Sequence, residues 1–137
     1  MAAFEKMGRD DILKNIESLK HQHDFIAGRD ELLAHAVGEF DSEYAEVLIE
    51  AGANPNLQAS WGDSLLHSLA HRYMSRRTLQ GAQVLRTARA LLSGGANPNM
   101  IGCNNLMPIN ICMEQQAHEF EALLLEFGAD PKGSHFA

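Results

Sequence analysis

The chain has 137 residues and a mass of 15.1 kDa, 45% of them apolar and 21% charged, which suits one soluble domain with its own core. No run approaches the roughly 18 apolar residues of a membrane span, and the opening MAAFEKMGRDD lacks the apolar stretch of a secretory signal, so a cytoplasmic protein without membrane contact is expected. The formal charge of −7 is unevenly placed: Met1 to Asp63 holds 13 acids and five bases (−8), Ser64 to Met113 no acid and five arginines (+5), and the remainder five acids and Lys132 (−4). A nucleic-acid partner is not expected of a net-acidic chain whose basic belt contains no lysine.

In chain order, RDDILKNIESLKHQ places Ile12, Leu13, Ile16 and Leu19 on one helical stripe, with Asp10 or Asp11 as N-cap. RDELLAHAV, from Arg29, begins a second helical stretch. Three apolar helices then share one ending: YAEVLIEAGANPN around Gly52, TARALLSGGANPN around Gly95 and FEALLLEFGADPK around Gly128. The glycine stands where a helix C-terminus favours a left-handed residue, and Pro55, Pro98 and Pro131 prevent the helix from resuming. Ten residues beyond the first two stops stand Gly62 and Asn105, both able to take a positive φ in a tight turn. Short helices follow in LLHSLA and PINICM, with Ser64 as N-cap of the first and Pro108 in the opening turn of the second.

A unit of turn, short helix, loop, second helix and glycine stop, with a period near 33, resembles the ankyrin repeat. Its signature G-x-T-P-L-H-x-A is matched by Gly62, Ser64, Leu65, Leu66 and His67, with Leu69 in the last place. Asn105, Met107, Pro108, Ile109, Asn110 and Cys112 follow it less closely. In the first unit Leu33 and Ala36 are kept, and Ala34 stands where histidine is usual. The resemblance implies an all-α solenoid of helix-turn-helix units with an N-terminal capping helix: cap at 1–28, repeats at 29–56, 57–99 and 100–132, and a mobile tail at 133–137. Leu33 to Gly52 and Ile109 to Gly128 each span 19 residues, yet Leu66 to Gly95 spans 29. The middle unit therefore carries ten extra residues between about Arg72 and Val84, as a longer loop or a lengthened helix, with Gly81 favouring a break.

The family likeness implies a non-catalytic module that binds another protein, as a monomer or within a heteromeric complex, without a cofactor. Two uses are open. One is a stoichiometric inhibitor or neutralising partner, such as an immunity protein that blocks a toxin or an inhibitor of a signalling protein; the other is an adaptor that bridges partners without inhibiting them. In the family, contacts come from the turn tips and the exposed end of the first helix. Transferred to this chain, the middle unit offers Gln58, Ser60, Trp61, Asp63, His71 and Arg72, and the third Ile101, Asn104, Leu106, Glu114 and Gln115. Asp30, Gly38 and Glu39 are the counterparts in the first.

Trp61, the one tryptophan, stands on a turn tip where the pattern is usually polar, and either meets a partner or folds over a neighbouring unit. Arg72, Arg76, Arg77, Arg86 and Arg89 either face an acidic partner or pair internally with Glu39, Asp41 or Glu43, or with Glu114 and Glu119. On the contact reading, Trp61→Ala with Arg72→Ala weakens binding and leaves thermal unfolding nearly unchanged. His67 and His71, four apart on one helix, have a zinc-compatible spacing but no HExxH, and His67 fills the signature place whose role is a hydrogen bond to the adjacent turn. No metal site is expected. Asp63, Ser64 and His67 read as a helix cap rather than a catalytic relay. Cys103 and Cys112 form no CxxC or Cys/His cluster and are expected as free thiols, Cys103 the more exposed.

Overall fold

A computed structural model describes the backbone of residues 9–60 and 62–132, with side chains except those of 74–79 and 104. The tail at 133–137 lies outside the described residues. α1 (Arg9–Lys14) and α2 (Ile16–Leu19) divide the N-terminal stripe at Asn15, whose side-chain amide donates to the Asp11 carbonyl at 2.7 Å. Competition of this kind between side chain and backbone interrupts a short helix. Ile12 and Leu19 are buried, with Leu13 and Ile16 packed against the same core. Asp10 and Asp11 fall inside the first turn of α1 rather than capping it. Arg9 ties this segment to the next layer through Asp41 and Glu43, so both acids are met by the N-terminal helix.

α3 (His23–Gly38) is a continuous helix that passes through residue 29. α4 (Ser42–Glu50) follows, its first turn capped by Asp41, which accepts from the Tyr44 N–H at 3.2 Å. Each of the three glycine-stopped helices closes alike. Gly52 donates to Ile49 O and Ala53 to Leu48 O; Gly95 to Leu92 O and Ala96 to Leu91 O; Gly128 to Leu125 O and Ala129 to Leu124 O. This paired closure requires a left-handed residue, and the glycines adopt φ of +104°, +104° and +97°.

The repeated asparagines have a function that the sequence did not disclose. Asn54 and Asn97 each accept from the N–H two residues on, at 2.9 Å, which shapes the loop. Asn56 and Asn99 reach the next copy: Asn56 accepts from Asn97 N–H at 2.6 Å and donates to Gly95 O, and Asn99 accepts from Asp130 N–H at 2.7 Å and donates to Gly128 O. Asp30 on α3 begins this ladder by accepting from Asn54 N–H. It stops at Lys132, whose ammonium has no acceptor to offer.

α5 (Leu65–Ser93) absorbs the ten extra residues as helix, not loop. One residue, Gln80 at φ −130° and ψ 16°, breaks it into two arms next to Gly81. The first arm opens with a capping box between Ser64 and His67 and packs on α3 and α6; α4 and α7 (His118–Glu126) also pack on α5. α6 (Pro108–Gln115) carries Pro108 at its start, where the missing N–H costs nothing. The buried faces of the helices form one continuous core in which the Tyr73 ring meets Phe120 edge to face, centroids 5.7 Å apart. Of the terminal acids, Glu126 takes the Arg89 guanidinium through two bonds, at 2.8 and 3.1 Å, and Glu119 accepts from Tyr73 Oη.

Candidate protein-binding surface

The loop before α5 is a small hairpin. Gln58 and Ser64 pair as an isolated bridge, Ala59 N–H donates to Asp63 O at 2.8 Å, and Gly62 N–H closes the turn on Ala59 O at 2.9 Å. Gln58 Nε2 reinforces it by donating to Gly62 O. The corresponding turn of the third unit, closed by Gly102 N–H on Leu106 O, includes a 3-10 turn at Cys103–Asn105, with Asn105 at φ +60°.

His67 locks the two turns together. Its Nδ1 accepts from Ser64 N–H at 3.0 Å and its Nε2 lies 2.7 Å from Leu106 O, across 39 residues of sequence. An amide can only donate and a carbonyl can only accept, so the ring is neutral with its proton on Nε2. Burial disfavours the imidazolium and lowers the pKa of His67 below its ordinary 6.5, against the opposing bond to Leu106 O. Ser64 Oγ lies 2.8 Å from Nδ1, close enough for a nucleophile and its base. Yet Nε2 is spent on a carbonyl and both residues are buried, so the pair acts as a cap. The same bonds leave His67 no lone pair for a metal. In the third unit Asn110 replaces it, its amide oxygen accepting from Met107 N–H at 2.9 Å. Among the described residues no three histidine, cysteine or acidic side chains converge as metal ligands would.

Between α3, the hairpin and α5 lies a half-open, mostly apolar cleft of about 400 Å³. Ala34, Leu57, Ala59 and Leu65 supply its apolar lining, and Gln58, Asp63, Ser68, His71 and Arg72 its polar edge. The periodicity explains the α5 contribution: Leu65, Ser68 and Arg72 form one stripe, while Leu66, Leu69 and Tyr73 turn into the core. Asp63 faces the neighbouring unit, its Oδ1 accepting from Cys103 N–H at 2.8 Å, and its side chain is 15% exposed. His71 is 56% exposed, its Nε2 4.0 Å from Asp63 Oδ2.

Four of the sequence-derived contact residues, Gln58, Asp63, His71 and Arg72, are thus brought to one cleft. Arg72 is also a tie within the fold: Nη1 donates to Gly38 O at 3.0 Å and the guanidinium sits 4.6 Å from the Phe40 ring centroid. Its removal takes away this bond and this ring contact, so the Trp61→Ala/Arg72→Ala change bears on the fold as well as on binding. Ser60 is exposed on the hairpin, Glu114 and Gln115 are exposed at the end of α6, and Ile101 and Leu106 lie in the next turn; none lines the cleft. Asp30 accepts from Asn54 N–H in the loop after α4, the Gly38 carbonyl accepts from Arg72 on α5, and Glu39 is exposed beside His35. Trp61, and the side chains of Arg76, Arg77 and Asn104, lie outside the described residues. Ala34, Leu57, Ala59, Leu65 and Ser68 were not anticipated; the i, i+3, i+7 stripe from Leu65 was the signal for Leu65 and Ser68, and no pattern marked the other three.

Repeat, glycine-stopped helices and histidine lock together define an ankyrin-repeat solenoid, a fold typically used as a protein-interaction module. The chain is similar to the crystal structure of an ankyrin repeat domain from Acinetobacter baumannii, with 26% identity and a TM-score of 0.62 over 72% of this chain and 47% of that one. It spans about half the length of that solved domain. No protein-family model and no curated protein matches it. No described helix is long and apolar enough to cross a membrane.

Proposed function

We propose that this chain is a cytoplasmic, stoichiometric inhibitor: it binds one protein partner through the cleft side of its solenoid and neutralises it by covering a functional surface, as an immunity protein covers a toxin. The observation that carries this reading is the cleft itself, an apolar hollow edged by Gln58, Ser68 and His71 on a scaffold of tied helices. A largely preformed concave surface loses little ordering entropy on binding. Coverage then needs no catalytic group in the chain. Gln58, Ser60, Asp63, His71 and Arg72 form the near contacts, with Trp61, Arg76 and Arg77 beside them in sequence, and Asn104, Leu106, Glu114 and Gln115 extend the surface toward the third unit.

The test starts from capture of a partner from lysate of the source organism with the full chain as bait. The recombinant partner is then titrated with the chain and its own activity measured. Loss of activity that ends at one equivalent supports inhibition. A complex that retains full activity and takes up a second protein assigns the chain to the adaptors and sinks the inhibitor reading.

A further inference from the structure

The repeat itself marks a second surface, the face of the third unit turned away from α5. We infer that this face receives a basic amphipathic helix of the protein partner, packed on Met113 and Leu125 with a lysine or arginine opposite Glu121; this rests on the protein-binding reading above and adds a contact beyond the cleft.

In the register of the repeat, Leu33, Leu66 and Ile109 are equivalent, as are Gly52, Gly95 and Gly128. Met113 on α6 therefore stands with Val37 and Ala70, and Leu125 on α7 with Ile49 and Leu92. Val37, Ala70 and Leu92 are at most 5% exposed, and Ile49 lies so close to the following unit that a Cβ on Gly94 would stand 2.6 Å from its Cγ2. α5 packs on α3 and α4, and α6 and α7 pack on α5, so in the first two units these positions are covered by the helices of the next. In the third unit Met113 is 37% and Leu125 39% exposed. A solenoid end that meets only water is polar. This one keeps an apolar pair, one side chain from each helix of a packed hairpin, and what covers that pair elsewhere in the fold is helix.

Charge selects the helix. Glu121 stands one turn before Leu125 on the same stripe, at the position where Ala45 and Ala88 are fully buried in the preceding units. It is half-buried and has no side-chain hydrogen bond or ion pair among the described residues, whereas Glu126 is held by Arg89 and Glu119 by Tyr73. A partner that covers this carboxylate has to bring a cation to it, and a partner acid would be repelled. Lys132 sets the direction of the helix. It occupies the place from which Asn56 and Asn99 donate to Gly95 O and Gly128 O, the carbonyls just beyond the next unit's outer helix. An ammonium can make that bond, and a cation is favourable at a helix C-terminus, so the bound helix runs parallel to α7 and ends beside Lys132.

The experiment is selection of a displayed library of helix-forming peptides of about 18 residues, roughly five turns, against the full chain. Affinities of the enriched peptides are then measured by fluorescence polarisation. Leu125→Lys puts a charge at an exposed apolar position, Glu121→Gln removes the carboxylate, and Glu46→Gln removes an exposed glutamate of the first unit, away from this face. Far-UV circular dichroism and thermal unfolding establish that each variant is folded. The expected peptides are net basic, carry apolar residues at i, i+3 or i+4 and i+7, and gain helical signal on binding. They bind Leu125→Lys at least tenfold more weakly, Glu121→Gln several-fold more weakly with a smaller dependence on salt, and Glu46→Gln as they bind the parent. Replacing the critical peptide base with glutamate restores affinity for Glu121→Lys. Acidic or unpatterned peptides, undiminished binding to Leu125→Lys, or an absence of enrichment overturn the assignment. Light scattering of the parent should give the mass of one chain; a dimer that Leu125→Lys dissociates assigns the face to a second copy and also overturns it. A natural partner inhibited by Leu125→Lys as by the parent removes this face and leaves the inhibitor reading standing. Peptides that behave as expected beside a partner that stays active in the complex do the reverse, so the two failures are distinguishable.

Discussion

Replacing His67 with alanine tests the central joint of the fold. The ring is fully buried and bridges Ser64 N–H to Leu106 O. Its loss leaves that donor and that acceptor without their partner, at about 1–3 kcal/mol for each group that water does not reach. Truncation also opens a void between the first arm of α5 and the third unit, and buried large-to-alanine changes cost about 2–5 kcal/mol in total. Because these contributions overlap, about 3–4 kcal/mol is expected. Against roughly 0.05–0.15 kcal/mol per residue, about 7–20 kcal/mol for this chain, that is a substantial share of its stability. Urea unfolding followed at 222 nm should show a lower midpoint, and the melting temperature should fall by about 10 °C. His71→Ala, one turn away and exposed, should stay within about 0.5 kcal/mol of the parent. A second reading comes from pH. The folded pKa of His67 lies below the unfolded value near 6.5, so the unfolded chain takes up the proton first. The stability due to His67 is therefore complete above about pH 6.5 and declines as pH falls toward the folded pKa, and the gap between parent and His67→Ala should narrow between pH 7.5 and 5.5. Equal costs at positions 67 and 71, or a gap that widens on acidification, would refute the lock.

The asparagine ladder makes Asn56→Ala destabilising by about 1–2 kcal/mol, through loss of the bonds to Asn97 N–H and Gly95 O; Asn56→Asp, which keeps the acceptor and loses the donor, should fall between the two in urea unfolding. Gly94 and Gly95 are adjacent but constrained differently. A Cβ on Gly94 would stand 2.6 Å from Ile49 Cγ2, whereas one on Gly95 meets nothing but requires φ +104°. Alanine at either should cost about 1–3 kcal/mol, with Ile49→Ala relieving part of the Gly94→Ala loss and none of the Gly95→Ala loss in a double-mutant cycle. Cys103 is exposed, and burial, then the nearby Glu121, push the Cys112 thiol up to about 12. A thiol reagent at pH 8 should therefore label one cysteine in the native chain and two in guanidinium; two rapid native reactions would contradict the packing of α6.

What the sequence determined by itself is the one-dimensional order. Gly52, Gly95 and Gly128 stop helices because only a residue tolerant of positive φ permits the paired closure, and Ser64, His67 and Pro108 mark helix starts through bonds made within a few residues. Such local rules are legible wherever they occur, and the 19, 29, 19 spacing locates the ten extra residues by position. Their conformation was open: loop and helix satisfy the spacing equally, and the choice fell to helix with one broken residue at Gln80. Only the tertiary structure decided the pairings between units. Arg72 donates to Gly38 O and stacks on Phe40, and Arg89 meets Glu126 and the Phe127 ring, because long flexible side chains pair according to which helix faces them in space. The same holds for the cleft, whose walls come from Ala34, Leu57 and Leu65, 31 residues apart at their extremes and joined by nothing in the pattern of the chain. Asn56 and Asn97 stand 41 residues apart in the chain and share a hydrogen bond, since a solenoid places the same residue of successive units side by side.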